Sequence, residues 1–225
     1  MSVPLTVYAL RNDGFSNEIS LALKDAPPGF ALSGGRVPAN QDQVRVTLTV
    51  PPTPLAEPIS LSVEGRATIH GREVVRPAVP ADEMMQAFAY RHLVPAKELK
   101  VTVSGRWMCK AAVKILDATP IKIPAGGTAR VRVGAPAGAF LGKVQLELSE
   151  PPDGIVIRNV SPLPEGTEIV LQSDAAKVKP GLCGNLIVNA FAAAPPPSGN
   201  EKAPANRRRT PLSVLPAIPF EIIEP

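Results

Sequence analysis

One phrase occurs twice in this chain, and it restricts the fold more than any other feature. Residues 18–32 read EISLALKDAPPGFAL, and residues 143–157 read KVQLELSEPPDGIVI. In the first, Ile19, Leu21 and Leu23 alternate with Ser20, Ala22 and Lys24; in the second, Val144, Leu146 and Leu148 alternate with Gln145, Glu147 and Ser149. Alternation with period two lays one face of a strand on a core. The PPG and PPDG that follow make a stiff corner: proline limits the chain and glycine lets it turn back. At a constant offset of 125 residues, Pro27 meets Pro152, Gly29 meets Gly154, Phe30 meets Ile155 and Leu32 meets Ile157. Leu61 and Val63 meet Leu186 and Val188 at the same offset. Between them VPANQDQVRVTLTV answers LPEGTEIVLQ, with a gap that differs by a residue or so. The period exceeds the roughly 20–50 residues of solenoid repeats and indicates duplicated domains.

The chain has 225 residues, room for two domains of about 100 residues each. It holds 27 prolines, and 44% of its residues are hydrophobic, so real cores joined by stiff loops are expected in place of long helices. Strands are predicted in the first copy near Leu5–Leu10, Glu18–Leu23, Phe30–Leu32, Gln43–Val50, Ser60–Ile69 and Arg72–Arg76, with a hairpin turn at His70-Gly71. In the second copy they fall near Ile121–Ile123, Ala129–Val133, Lys143–Leu148, Ile155–Ile157, Glu168–Leu171, Asn185–Phe191 and Ala217–Ile223. The expected class is all-β: two tandem antiparallel β-sandwiches, residues 1–80 and 98–225, the second with a mobile Pro/Arg-rich loop at 193–214. Residues 81–97 form the connector. Asp82 as cap, followed by Glu83, Met84, Met85, Gln86 and Ala87, predicts a short helix over Ala81–Leu93, ended by Pro95.

The second copy opens with TPIKIPAGGTARVRV, a short strand, a turn and another strand. The first has room only for the second of these, VPLTVYALR. Its opening strand is expected upstream of Met1, which makes the chain the C-terminal part of a longer protein. The first fifteen residues contain no signal peptide, having neither a basic start nor a long apolar stretch.

RNDGFSNEISLALKDAPPGFAL, then VPANQDQVRVTLTV, then ISLSVEGRATIHGREVVRPAVPAD resembles the immunoglobulin-like repeats of large exported bacterial proteins, which often also carry pre-peptidase C-terminal domains. Arg11, Asp13, Gly14, Phe15, Pro27, Pro28, Gly29, Pro38, Ala39, Gly65, Ala67, Ile69 and Gly71 carry the resemblance. The second copy is similar more loosely, with GAPAGAFLGKV where the first has RNDGFSNEI. The resemblance implies immunoglobulin-like domains, export to the periplasm or cell surface, and neighbouring domains of a larger parent protein as partners. It supplies no catalytic residue.

Chemistry is sparse. His70 on a hairpin tip and His92 on the connector are the only histidines, and no nucleophile elbow, zinc-protease motif or phosphate loop accompanies them. The loop Asn12, Asp13, Asn17 and Glu18 is a weak oxygen cluster and reads as a turn. Neither a metal site nor a cofactor is expected. A net charge of +4, part of it from Arg207, Arg208 and Arg209, gives no nucleic-acid footprint. No apolar run is long enough to span a membrane. Cys109 and Cys183 are either one bridge or two separate thiols. The expected role is a non-catalytic structural or interaction module. The alternative is a ligand-binding module for a polysaccharide or an envelope protein, using the 193–214 loop and the connector. Met84, Met85, Phe88, Tyr90, Arg91, His92 and Arg207–Arg209 are the candidate interaction residues, because Met, aromatic and Arg side chains dominate interface hot spots.

Overall fold

The fold was analysed in a computed structural model, which describes residues 1–86, 90–104, 113–134, 144–192 and 211–225. Among these, every regular element is a β-strand, so the chain is all-β. The first half carries β1 (Ser2–Tyr8), β2 (Ile19–Lys24), β3 (Ala31–Ser33), β4 (Arg36–Val37), β5 (Gln43–Thr49), β6 (Ile59–Ile69) and β7 (Arg72–Pro77). Then come β8 (Ala81–Gln86), β9 (Tyr90–Pro95) and β10 (Leu99–Val101). The second half carries β11 (Lys114–Ile115), β12 (Ile121–Pro124), β13 (Thr128–Gly134), β14 (Val144–Ser149), β15 (Ile155–Leu163) and β16 (Gly166–Ser173). It ends with β17 (Cys183–Ala192), β18 (Pro211–Val214) and β19 (Ile218–Ile223).

The duplicated phrase is duplicated in backbone conformation. Asp25 and Glu150 both take positive φ, at 48° or just below, and Gly29 and Gly154 follow at 91° and 87°. In each corner the fourth residue closes the turn: Phe30 N–H donates to Pro27 C=O at 3.3 Å, and Ile155 N–H to Pro152 C=O at 3.2 Å. A proline or aspartate at the second position and a positive-φ glycine at the third define a type II turn. Gly154 has a further constraint, since a Cβ there would lie 2.7 Å from Lys177 Cβ, whereas at Gly14 it would meet nothing. Gly154→Ala is therefore expected to lose about 2 kcal/mol or more, and Gly14→Ala about 1 kcal/mol, from the left-handed backbone cost alone in the second case. Urea denaturation midpoints of the two variants check this ordering.

Pairing repeats as well. Leu23 lies opposite Val63, and Leu148 opposite Val188; Leu21 lies opposite Gly65, and Leu146 opposite Ala190. β3 on β5 and β15 on β16 match, with Leu32 opposite Leu48 and Ile157 opposite Leu171. β1 on β5 matches β13 on β16, with Leu5 opposite Val46 and Val131 opposite Ile169. β10 on β6 matches β19 on β17, with Leu99 opposite Leu61 and Ile218 opposite Leu186. β10 thus pairs with the first half, and Val103 after it joins the first-half core.

In the second half, inward residues of β13 and β16 meet those of β17 and β19 in one cluster of fourteen buried side chains, completed by Ile121 and Ile123 from β12. The first half has two smaller clusters, Leu48, Val50, Leu61 and Val103 in one, Val37, Val44 and Val46 in the other. A polar joint ties the halves. Asn185 donates to the carbonyls of Gly34 (2.7 Å) and Arg45 (2.8 Å), and Arg45 donates to Ser149 C=O (2.7 Å). Thr47 Oγ1 accepts from Ala217 N–H at 2.7 Å, and Gln41 donates to Cys183 C=O at 2.8 Å. Ser2 of β1 pairs with Val214 of β18, so one sheet runs through both halves.

Two expectations need correction. Where a helix was expected over Ala81–Leu93, the described residues are strands: β8 and β9 pair antiparallel from Ala81↔Pro95 to Gln86↔Tyr90. The helix reading rested on propensities worth a few tenths of a kcal/mol per residue, with no apolar stripe at helical spacing to make a helix worth burying. Pairing instead satisfies the facing half of the backbone groups of each segment. The 193–214 loop also ends earlier than expected, because Pro211–Val214 is a strand bonded to β17.

Candidate functional site

The hairpin of β8 and β9 is a two-stranded sheet of its own. Ala96 N–H donates to Pro80 C=O at 2.7 Å and closes its base. With Met84 opposite His92 and Met85 opposite Arg91, the pleat divides the residues between two faces. One face carries Asp82, Met84, Tyr90, His92 and Val94. The other carries Glu83, Met85, Arg91 and Leu93. Met85 and Tyr90 are each 69% exposed, and Met84, Leu93 and Val94 are exposed too.

Arg91 Nη1 donates to Glu83 Oε1 at 2.8 Å along the second face. That hydrogen bond, with the attraction of the Glu83 charge behind it, holds the Arg91 guanidinium above its usual range. The Tyr8 phenol adds a smaller push in the same direction. An isolated two-stranded hairpin is marginal in water. This one presents apolar groups on both faces, each worth about 1.5–3 kcal/mol if fully buried. This exposed hairpin, the arm, keeps Met84, Met85, Tyr90, Leu93 and Val94 in solvent.

Of the residues singled out in the sequence, Met84, Met85, Tyr90, Arg91 and His92 are brought together on this arm. Phe88, Arg207, Arg208 and Arg209 lie outside the described residues, as does Cys109. Cys183 sits half-buried at the start of β17, where burial pushes its thiol pKa up. His70 lies at the β6–β7 turn with φ 48°, followed by Gly71 at 76°. The two histidines thus sit on different hairpins. Among the described residues, no group of His, Cys, Asp and Glu gathers with the geometry of a metal site, and no helix is long and apolar enough to cross a membrane.

Sequence reasoning missed what Arg11 does. Its guanidinium is nearly buried and donates to three carbonyls: Gln41 (2.9 Å), Asn17 (2.6 Å) and Pro38 (2.9 Å). It lies 5.5 Å from the Phe15 ring centre and 3.6 Å from an Asp42 oxygen. Asp13 and Gly14 take positive φ to fold the loop back over it. The R-N-D-G-F stretch is a clamp between two loops. The signal was an arginine just before a turn, whose partners, 6, 27 and 30 residues away, are not marked in the sequence. Beside it, Tyr8, Ala9, Leu10, Asn12 and Asp42 line a shallow depression.

Neither a protein-family model nor a curated protein matches this chain.

Proposed function

We propose that the chain is a non-catalytic structural and interaction module made of two immunoglobulin-like sandwiches. It belongs to a larger exported bacterial protein, at the periplasm or cell surface, and contacts its partner through the β8–β9 arm. The observation that carries the reading is the arm itself, with Met84, Met85, Tyr90, Leu93 and Val94 in solvent on a two-stranded sheet. The sandwich reading is supported by β11-β13-β16-β15 on one side of the second core and β12-β19-β17-β14 on the other. The parallel pairing of β12 with β19 also supports it. The polar joint supports a spacer role, since it fixes the two halves to each other. A polysaccharide as ligand is the second reading, favoured by Tyr90 and Tyr8, both exposed aromatic rings.

The test separates binding from folding. The combined variant Met84→Ser, Met85→Ser and Tyr90→Ser is expected to change the stability of the chain by no more than about 0.5 kcal/mol. The same variant is expected to lose at least about tenfold in affinity for isolated cell-envelope fractions, a loss of about 1.4 kcal/mol. Sedimentation of labelled chain with envelope protein and with purified envelope polysaccharide distinguishes the two partners. Undiminished binding by the variant would remove the arm from the function.

A further inference from the structure

The two halves differ at one edge. In the second half β11 lies beside β13, with Lys114 opposite Gly134 and Ile115 opposite Val133. Leu116 N–H donates to Arg132 C=O at 2.9 Å, and Arg132 N–H donates to the Asp117 carboxylate at 2.5 Å. The chain then passes to β12, which lies parallel to β19 and buries Ile121 and Ile123. In the first half, β1 matches β13 and β10 matches β19. Among the described residues, β10 pairs only with β6, and the edge of β1 away from β5 has only the Ser2↔Val214 bridge.

The backbone of β1 shows what this edge offers. Val50 N–H donates to Met1 C=O and Ala9 N–H to Asp42 C=O, so odd-numbered residues turn their polar groups toward β5 and the loop that precedes it. Antiparallel alternation then turns Ser2, Pro4, Thr6 and Tyr8 toward the other edge. β18 covers Ser2, and Pro4 has no N–H to offer. The usable stretch is Thr6–Tyr8. Its counterparts in the second half are Arg132 and Gly134, the residues engaged by 114–117. Apolar surface is unmet at the same place. Tyr8 is 43% and Leu10 89% exposed, and Leu5 and Val7 are half-buried where Val131 and Val133 are buried.

We propose that the Thr6–Tyr8 edge of β1 is an acceptor for an extended strand donated by a second polypeptide, added antiparallel to β1 and continuing beside β10. The second half defines the donor's chemistry: an alternating apolar segment of the kind VKILDATPIKIP, residues 113–124. One apolar side chain packs against the exposed Tyr8 at the end of β1, whose counterpart Gly134 lies under Leu116. Two more, spaced as Ile121 and Ile123, enter beside β10 and join the two separate first-half clusters. This is β-augmentation, in which backbone bonds give affinity and alternate side chains give selectivity. It stands on β1 and β10 and does not involve the arm, so either can fail alone.

The experiment adds a synthetic peptide with the sequence of residues 113–124 to the full chain and follows amide hydrogen exchange. Exchange at Thr6 and Tyr8 is expected to slow by at least about tenfold at about 1 mM peptide. A peptide carrying Leu116→Pro, which lacks the N–H that bonds the counterpart Arg132 C=O, is expected to protect neither. In the chain, Thr6→Pro removes an N–H that faces the open edge and is expected to abolish the effect with the melting temperature unchanged. If that variant fails to fold, the Leu116→Pro peptide still decides. Unchanged exchange at Thr6 and Tyr8, or equal protection by both peptides, overturns the proposal. Protection that rises with protein concentration and no peptide places a second copy of the chain on this edge, and overturns it also.

Discussion

Arg11→Ala is expected to lower the stability of the chain by about 3 kcal/mol, because a nearly buried cation is removed from three carbonyls that then lack a partner. The carbonyls of Asn17, Pro38 and Gln41 all face the guanidinium at 2.6–2.9 Å. Hydrogen bonds to charged groups are worth about 1.5–3 kcal/mol each, but water reaches part of this loop and recovers some of the loss. Arg11→Lys is expected to recover less than half. An ammonium is a compact point charge and cannot fork toward three acceptors while stacking on Phe15. Urea denaturation of the three proteins at pH 7 measures the effect. A loss under about 1 kcal/mol for Arg11→Ala would mean that the clamp is replaced by water.

Ile123→Ala is expected to cost about 3–4 kcal/mol, within the range for fully buried aliphatic truncations. Ile123 is completely buried on β12, opposite Ile222, in the middle of the fourteen-residue cluster. β19 beside it and β13 and β16 across the core are all fixed, so the cavity has little room to collapse. Leu5→Ala, on the half-buried face of β1, removes the same number of carbons and is nonetheless expected to cost only about 1–2 kcal/mol, since water already reaches it. The same denaturation series compares them. The reverse order would show that the first-half core is better closed than its split clusters indicate.

The strands written as long alternations were readable in the sequence, because period two over five or more residues is a strong signal. So was the PPG corner, whose proline and glycine determine the turn. β4, β11 and β18 are two to four residues long, too short to show a period. The arm was misread because Glu83, Met84, Met85 and Gln86 favour a helix in isolation, while their strand state depends on residues 90–95 returning alongside. Arg11 was visible as part of a motif without its role. The joint left no trace at all: Asn185 reaches Gly34 and Arg45 across 140 residues or more, and single polar residues carry no periodicity. At the candidate site the residue types stood out, and the geometry that exposes them did not.

The joint also makes the duplicated halves unequal. At the positions that answer Arg45, Thr47 and Asn185, the other copy has Glu168, Val170 and Ser60. Glu168 cannot donate as Arg45 does, Val170 cannot accept as Thr47 Oγ1 does, and Ser60 lacks the reach of an amide. Copying either half in place of the other would remove the bonds whose side chain that half supplies: those of Arg45 and Thr47 in one case, those of Asn185 in the other. The pair has become a matched set with a fixed order, so recombination can carry the two as a unit but cannot shuffle them as interchangeable beads.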